Sequence, residues 1–200
     1  MMTHRARSRA RQAGVMLGLL VSLLSWNCKG GGDEGTSAAP CTDITFTAAN
    51  TSPASGDVFM SQTGSTCTTL QVSVVVNDLT GIFTIGFDMN YPSTRLQYNT
   101  YTVGPLLQKN ASNSPIVLVD AATAGLIKVA MSRVIQDGPV TAGSNEVLIT
   151  FHFSKVSSGT GSMDFNSSGS STVDEEVLDQ NGQTRPASFG PNHGGSVMVP

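Results

Sequence analysis

The sequence has few charged residues, and it is poorest in basic ones. Its 200 residues include 11 Lys or Arg and 14 Asp or Glu. Four of the arginines precede Cys28: Arg5, Arg7, Arg9 and Arg11. The chain from Cys28 onward therefore has seven basic and 14 acidic residues, a net charge of −7. Because nucleic-acid binding relies on basic side chains that neutralise phosphates, we expect no nucleic-acid partner.

The sequence also lacks the motifs of common catalytic sites. Beyond residue 27 its only histidines are His152 and His193, and neither belongs to a nucleophile or metalloprotease motif. We interpret His152 as a solvated strand residue and His193 as a solvated turn residue. Four aspartates are scattered along the chain: Asp88, Asp120, Asp137 and Asp164. Their spacing does not identify two of them as a catalytic acid and base. We therefore expect no enzymatic activity and no cofactor.

No hydrophobic run is long enough for a transmembrane helix. The apolar run Val15–Leu24 has ten residues, whereas a bilayer span needs about 20. It follows an arginine-rich start, which is the order of a bacterial export signal, here residues 1–27. The stretch LLSWNC, ending at Cys28, resembles a bacterial lipobox, which implies cleavage before Cys28 and lipidation of that cysteine. Ordinary cleavage in the glycine-rich stretch that follows is the alternative.

The lipid anchor would hold the protein at a membrane. Residues 28–40 are rich in glycine and polar residues, so we expect a flexible tether. The protein is then exported and held at an outer membrane or cell surface, and it contacts the membrane through the N-terminal lipid only.

Cysteine is scarce, with three residues in the chain. If Cys28 carries lipid, Cys41 and Cys67 remain as an even pair, which an oxidising compartment favours as a disulfide. Two buried free thiols are the alternative.

Beyond Cys41 the sequence predicts one all-β domain over residues 41–200. Short runs rich in Val, Ile, Thr and Phe alternate with clusters of turn-forming residues. Alternation in residues 146–155 predicts that Val147, Ile149, Phe151 and Phe153 point inward. No stretch indicates a long helix. Nine strands are predicted: 43–49, 70–76, 82–91, 96–103, 116–120, 126–132, 146–155, 161–166 and 196–200.

The content and order of four stretches in this domain are similar to those of a known family. The stretches are VSVVVNDLTGIFTIGFDMNYPSTRLQY (72–98), AGLIKVAMS (124–132), EVLITFHFSK (146–155) and VLDQNGQ (177–183). They resemble the cohesin domain, within the wider superfamily that includes carbohydrate-binding modules. Tyr91 and Leu96 keep the family's spacing, and the hairpin at Asp179–Gly182 matches its C-terminal turn. The resemblance implies a nine-stranded jelly-roll β-sandwich over about residues 43–199.

The resemblance implies a non-catalytic module that docks a dockerin-type protein on one sheet face, and dockerins fold around calcium. On that face we expect outward positions that are small or polar, and the predicted partner-binding residues are Thr84, Asp88, Asn90, Lys128 and Ser132. One alternative is a polysaccharide-binding module linked to polysaccharide catabolism, with Tyr101 as the exposed ring that contacts the glycan. Another is a structural surface lipoprotein.

The one dense acidic patch is DEEVLDQNG (174–182). Calcium binds carboxylate and carbonyl oxygens, so four residues form a weak calcium candidate: Asp174, Glu176, Asp179 and Asn181. A glycine-containing hairpin at Asn181–Gly182 explains the same residues without metal. We therefore assign no metal site.

Overall fold

A computed structural model describes residues 40–166, 175–190 and 192–200. The predicted export signal, the predicted lipidation site Cys28 and all but the last residue of the predicted tether lie outside this range. Within it, no helix is long and apolar enough to cross a membrane. The secondary structure consists of strands and two short 3-10 helices, Leu106–Gln108 and Ile135–Asp137.

The strands confirm the all-β prediction. In chain order they are β1 (Thr45–Ala48), β2 (Val58–Ser65), β3 (Thr69–Val76), β4 (Thr84–Asn90), β5 (Leu96–Val103), β6 (Ile116–Asp120), β7 (Leu126–Ser132), β8 (Glu146–Lys155), β9 (Gly159–Phe165), β10 (Glu176–Leu178) and β11 (Gly195–Val199). The described ranges hold eleven strands instead of the predicted nine, because β2 and β10 were not expected. In β2 the apolar residues Val58–Met60 are followed by five polar or glycine residues, and β10 has only three residues.

Two antiparallel sheets form the sandwich. One has the strand order β1-β11-β9-β4-β7-β6, with β10 also pairing with β4. The other has the order β2-β3-β8-β5. Strand β6 therefore lies at the end of the larger sheet, and β4 lies inside it, between β7 on one edge and β9 and β10 on the other.

The core lies between the sheets and follows the predicted alternation of β4. Ile85, Phe87 and Met89 are fully buried. The ring of Phe87 makes edge contacts with Phe151 of the facing sheet, at a centroid distance of 6.5 Å, and with Phe165, at 5.6 Å. Such edge-to-face pairs stabilise beyond the apolar area that they bury.

Strand β8 departs from the predicted alternation at Val147. A bulge between β3 and β8 pairs Val74 with Ile149 and Val75 with Val147, which leaves Leu148 as an extra residue. Leu148 and Ile149 therefore both join the core, whereas Val147 lies outside it. The prediction of an inward Val147 is wrong, and those for Ile149, Phe151 and Phe153 are confirmed.

The predicted disulfide between Cys41 and Cys67 is formed, with the two Cα atoms 5.7 Å apart. It joins the segment before β1 to the turn between β2 and β3. The backbone N–H of Ile44 donates to the carbonyl of Thr66 in the same turn at 3.0 Å. The bridge and this hydrogen bond together fix the start of the domain.

A buried arginine organises the two connections that flank β6 and β7. Arg133 is 3% exposed, and its guanidinium donates to the carbonyls of Leu107 and Lys109 in one connection and of Asp137 and Gly138 in the other. The carboxylate of Asp137 in turn accepts from the N–H of Ser112 at 2.8 Å. These contacts hold the segment that leads into β6.

His193 lies in a turn, as predicted, but its side chain is not solvated. Its Nε2 lies 3.2 Å from Oδ1 of Asp57, and both side chains are largely buried. Burial alone would raise the pKa of Asp57, but hydrogen bonds from the Ala54 N–H and the Asn50 amide, together with His193, outweigh it and hold the pKa below its ordinary value. This pair ties the C-terminal loop to the start of β2.

Stability should therefore depend on the ionised form of Asp57. Because its folded pKa lies below the unfolded one, the stabilisation is fully present above about pH 4 and is lost as pH falls through the folded pKa. We expect Asp57→Asn to lower the free energy of unfolding by about 1–3 kcal/mol at pH 7. Urea unfolding of both proteins at pH 7 and pH 3 measures this. A difference as large at pH 3 as at pH 7 would contradict the role of the charge.

Candidate docking face

The outer faces of β4, β7 and β6 form one surface, which we call the docking face. The strand register arranges it in rows: Thr84, Ser132 and Ile116; then Gly86, Ala130 and Leu118; then Asp88, Lys128 and Asp120. A trough lies along β6 and β7, lined by Leu118, Lys128 and Ala130, whereas Gly86 in the middle row is buried.

The predicted residues of this face differ in what they expose. Thr84 and Ser132 lie side by side, with their hydroxyl oxygens 2.9 Å apart, and each is half-buried. Asn90 is exposed at the end of β4. The side chain of Lys128 is 34% exposed, and its Nζ lies 3.9 Å from Oδ2 of Asp88.

Asp88 is not the exposed contact residue that the sequence predicts, because it is fully buried. Lys128 and Glu175 are among the residues that lie beside its carboxylate. Glu175 lies close by: burial first, and then the charge of Asp88, raise the pKa of Glu175. The Asp88 side chain is therefore not exposed on this face.

The strongest feature of the docking face is one that the sequence predictions did not include. Ile116 and Leu118 of β6 are 58% and 66% exposed. Their neighbours Val117 and Val119 pack partly buried against the core. The signal was present in the run IVLVD, because apolar residues at both alternating positions of a short edge strand leave one apolar set facing solvent.

Tyr101, predicted as an exposed glycan contact, is instead half-buried against the core. Strand β5 has a bulge here: Tyr98 pairs with Phe153 and Thr100 pairs with His152, so β5 has one extra residue between Tyr98 and Thr100. This shift puts Tyr98 and Tyr101 on the same inward side although they are three residues apart. Burial, and then the neighbouring Tyr101, raise the pKa of Tyr98. The prediction that Tyr101 is exposed is wrong.

The acidic stretch forms a hairpin held by its own side chain. Oδ1 of Asp179 accepts from the N–H groups of Asn181 and Gln183, at 2.9 and 3.0 Å. Asp174 lies outside the described residues. Across residues 40–166, 175–190 and 192–200, no three His, Cys, Asp or Glu side chains are grouped as metal ligands would be.

Comparisons with known proteins identify the fold. No family model and no curated protein sequence matches the chain. A type II cohesin domain from the cellulosome of Acetivibrio cellulolyticus matches with a TM-score of 0.54 and 15% identity, over 72% of this chain and 94% of that one. The sixth cohesin of scaffoldin B from the same organism, solved in complex with a Cel5 dockerin mutant, matches with a TM-score of 0.51 and 15% identity, over 68% and 94%.

A type II cohesin from Bacteroides cellulosolvens matches with a TM-score of 0.50 and 15% identity, over 64% of this chain and 90% of that one. At this identity the likeness concerns the fold. The described domain has the cohesin fold, as the sequence resemblance implied.

Proposed function

We propose that this protein is a non-catalytic docking module that binds a protein partner on the docking face. The observation that carries the proposal is the exposure of Ile116 and Leu118 beside a trough lined by Leu118, Lys128 and Ala130. Buried apolar anchors at the centre of an interface provide most of its binding energy. Lys128 and Asn90 would contribute polar contacts at the rim.

The partner is of dockerin type in this proposal. Support comes from the cohesin fold and from the similar cohesin that was solved with a dockerin bound. The partner would bury Leu118 and Ile116 while Ser132 and Thr84 remain joined by their hydroxyl groups. Lys128, held near the buried Asp88, would present a positive charge to an acidic or carbonyl group of the partner.

The proposal includes export and a lipid anchor at Cys28. The disulfide between Cys41 and Cys67 supports an oxidising compartment. The glycine-rich residues 28–40 would separate the domain from the membrane and leave the docking face accessible.

Leu118→Asp should weaken partner binding by about 100-fold or more, because it places a charge at the proposed apolar anchor. The test immobilises the purified protein and exposes it to the envelope and secreted proteins of the source organism, with calcium and with chelator. We expect a protein captured with calcium and lost with chelator, and its affinity for both variants is then measured with the purified partner.

The matched control is Val156→Asp, which makes the same kind of change at another exposed apolar residue, 55% exposed and outside the docking face. It should bind like the wild-type protein. Equal weakening by both substitutions, or full binding by Leu118→Asp, would refute the proposed site. Absence of any captured protein would refute the docking function.

A further inference from the structure

The outer face of the four-stranded sheet, on the other side of the sandwich from the docking face, contains a cavity of about 480 Å³. Its floor is apolar: Phe59 pairs with Val75, and Val75 pairs with Val147, across three adjacent strands. None of these three side chains belongs to the central core. The bulge in β8 that turns Val147 outward completes this floor.

The walls of the cavity are fixed by buried polar groups. Asn77 is 6% exposed; its amide donates to the carbonyls of Pro53 and Ala54, and its Oδ1 accepts from the N–H of Asn145. One buried side chain therefore holds both walls, the loop around Pro53 and the turn at Asn145. Asn50 in the first wall is held by Asp57 at 3.0 Å. The cavity is thus formed before any ligand binds.

The rim offers hydrogen-bonding groups that are neutral and uncommitted. The hydroxyl groups of Thr51 and Ser61 and the side-chain amide of Asn145 line the cavity. They make no hydrogen bond to the part of the protein that the structure describes. None of the residues that line the cavity carries an ionisable side chain.

We infer that this cavity binds a saccharide unit. A sugar ring combines apolar C–H faces with a rim of neutral hydroxyl groups, which matches an apolar floor surrounded by hydroxyl and amide groups. A charged ligand would find no opposite charge here, and a purely apolar one would bury the rim groups without partners, which is costly. The volume lies within the range of small-molecule sites.

The test records ¹⁵N–¹H spectra of the purified protein during titration with hexamers of β-linked glucose, xylose, mannose and N-acetylglucosamine. At least one of these should shift the amide signals of Ser61 and Asn145 in a saturable manner and leave those of Leu118 and Lys128 unchanged. No shift with any of the four, or shifts confined to the docking face, would overturn the inference.

Two substitutions test the rim. Ser61→Ala removes a hydroxyl group, and Asn145→Gly removes the amide while suiting the positive φ of 54° at that residue. Each should weaken saccharide binding about fivefold, the effect of one lost hydrogen bond. Thr100→Ala is the matched control, because it removes an exposed hydroxyl group from β5, outside the cavity. Unchanged binding by both rim variants, or equal weakening by the control, would refute the site.

The saccharide site and the docking face can fail independently. Leu118→Asp should leave saccharide binding unchanged, and Ser61→Ala should leave partner capture unchanged.

Discussion

Replacing Arg133 with alanine is expected to lower the free energy of unfolding by about 3–4 kcal/mol, which urea unfolding would measure. The substitution removes donors from four backbone carbonyls in two separate connections. An acceptor left buried without a donor costs about 1–3 kcal/mol. Only the hydrogen bond to Leu107 is fully buried, so the other carbonyls can reach water, and the total stays below four full penalties.

Two further variants separate hydrogen bonding from packing. Arg133→Met keeps an apolar stem of similar length but donates no hydrogen bond, so it should lose nearly as much stability as alanine. Arg133→Lys keeps the charge, but one ammonium group serves one connection at most, and it should lose about half as much. A loss below about 1 kcal/mol in Arg133→Met would contradict the role of the carbonyl contacts.

The same variants bear on the docking face. Because Arg133 and Asp137 hold the segment that leads into β6, Arg133→Met should increase amide hydrogen exchange in Ile116–Asp120 more than in β1, at the other end of the sheet. Exchange that rises equally in both strands would show that the arginine stabilises the fold in general and not β6 in particular.

The sequence was informative where strands alternate regularly. The period of two in β4 predicted its buried apolar side chains, Ile85, Phe87 and Met89, and the even pair of cysteines predicted the disulfide. Alternation fails where a bulge adds one residue, because every following side chain then changes face. The inward position of Tyr101 and the outward position of Val147 both have this cause, and no local pattern marked either bulge.

Predicting the docking face also required knowing which strand lies at the edge of the sheet. The alternation of β4 correctly placed Asp88 on the outer side, but its burial involves residues distant in sequence, among them Lys128 and Glu175. The exposure of Ile116 and Leu118 likewise depends on sheet order, because among the described strands β6 pairs with β7 alone. Sheet order is set by contacts distant in sequence, so residue patterns predicted the face but not its exposed members.

Removing the Cys41–Cys67 bridge should lower the free energy of unfolding by about 3.5 kcal/mol, because the bridge closes a loop of 26 residues and restricts the unfolded chain. The comparison is between the wild-type protein and the double variant Cys41→Ala, Cys67→Ala in urea, with and without a thiol reductant. Reductant should reduce the stability of the wild-type protein to that of the double variant and leave the double variant unchanged. A wild-type protein insensitive to reductant would contradict the expectation.

The loss should not extend to function at temperatures where the domain stays folded. The bridge fixes the segment before β1, and β1 and β6 lie at opposite ends of the larger sheet. A constraint on the unfolded chain leaves the folded docking face as it is, so the double variant should bind the partner with wild-type affinity while amide exchange in Thr45–Ala48 increases. If affinity falls together with stability, the bridge also shapes the folded sheet, and its effect then extends across all the strands between β1 and β6.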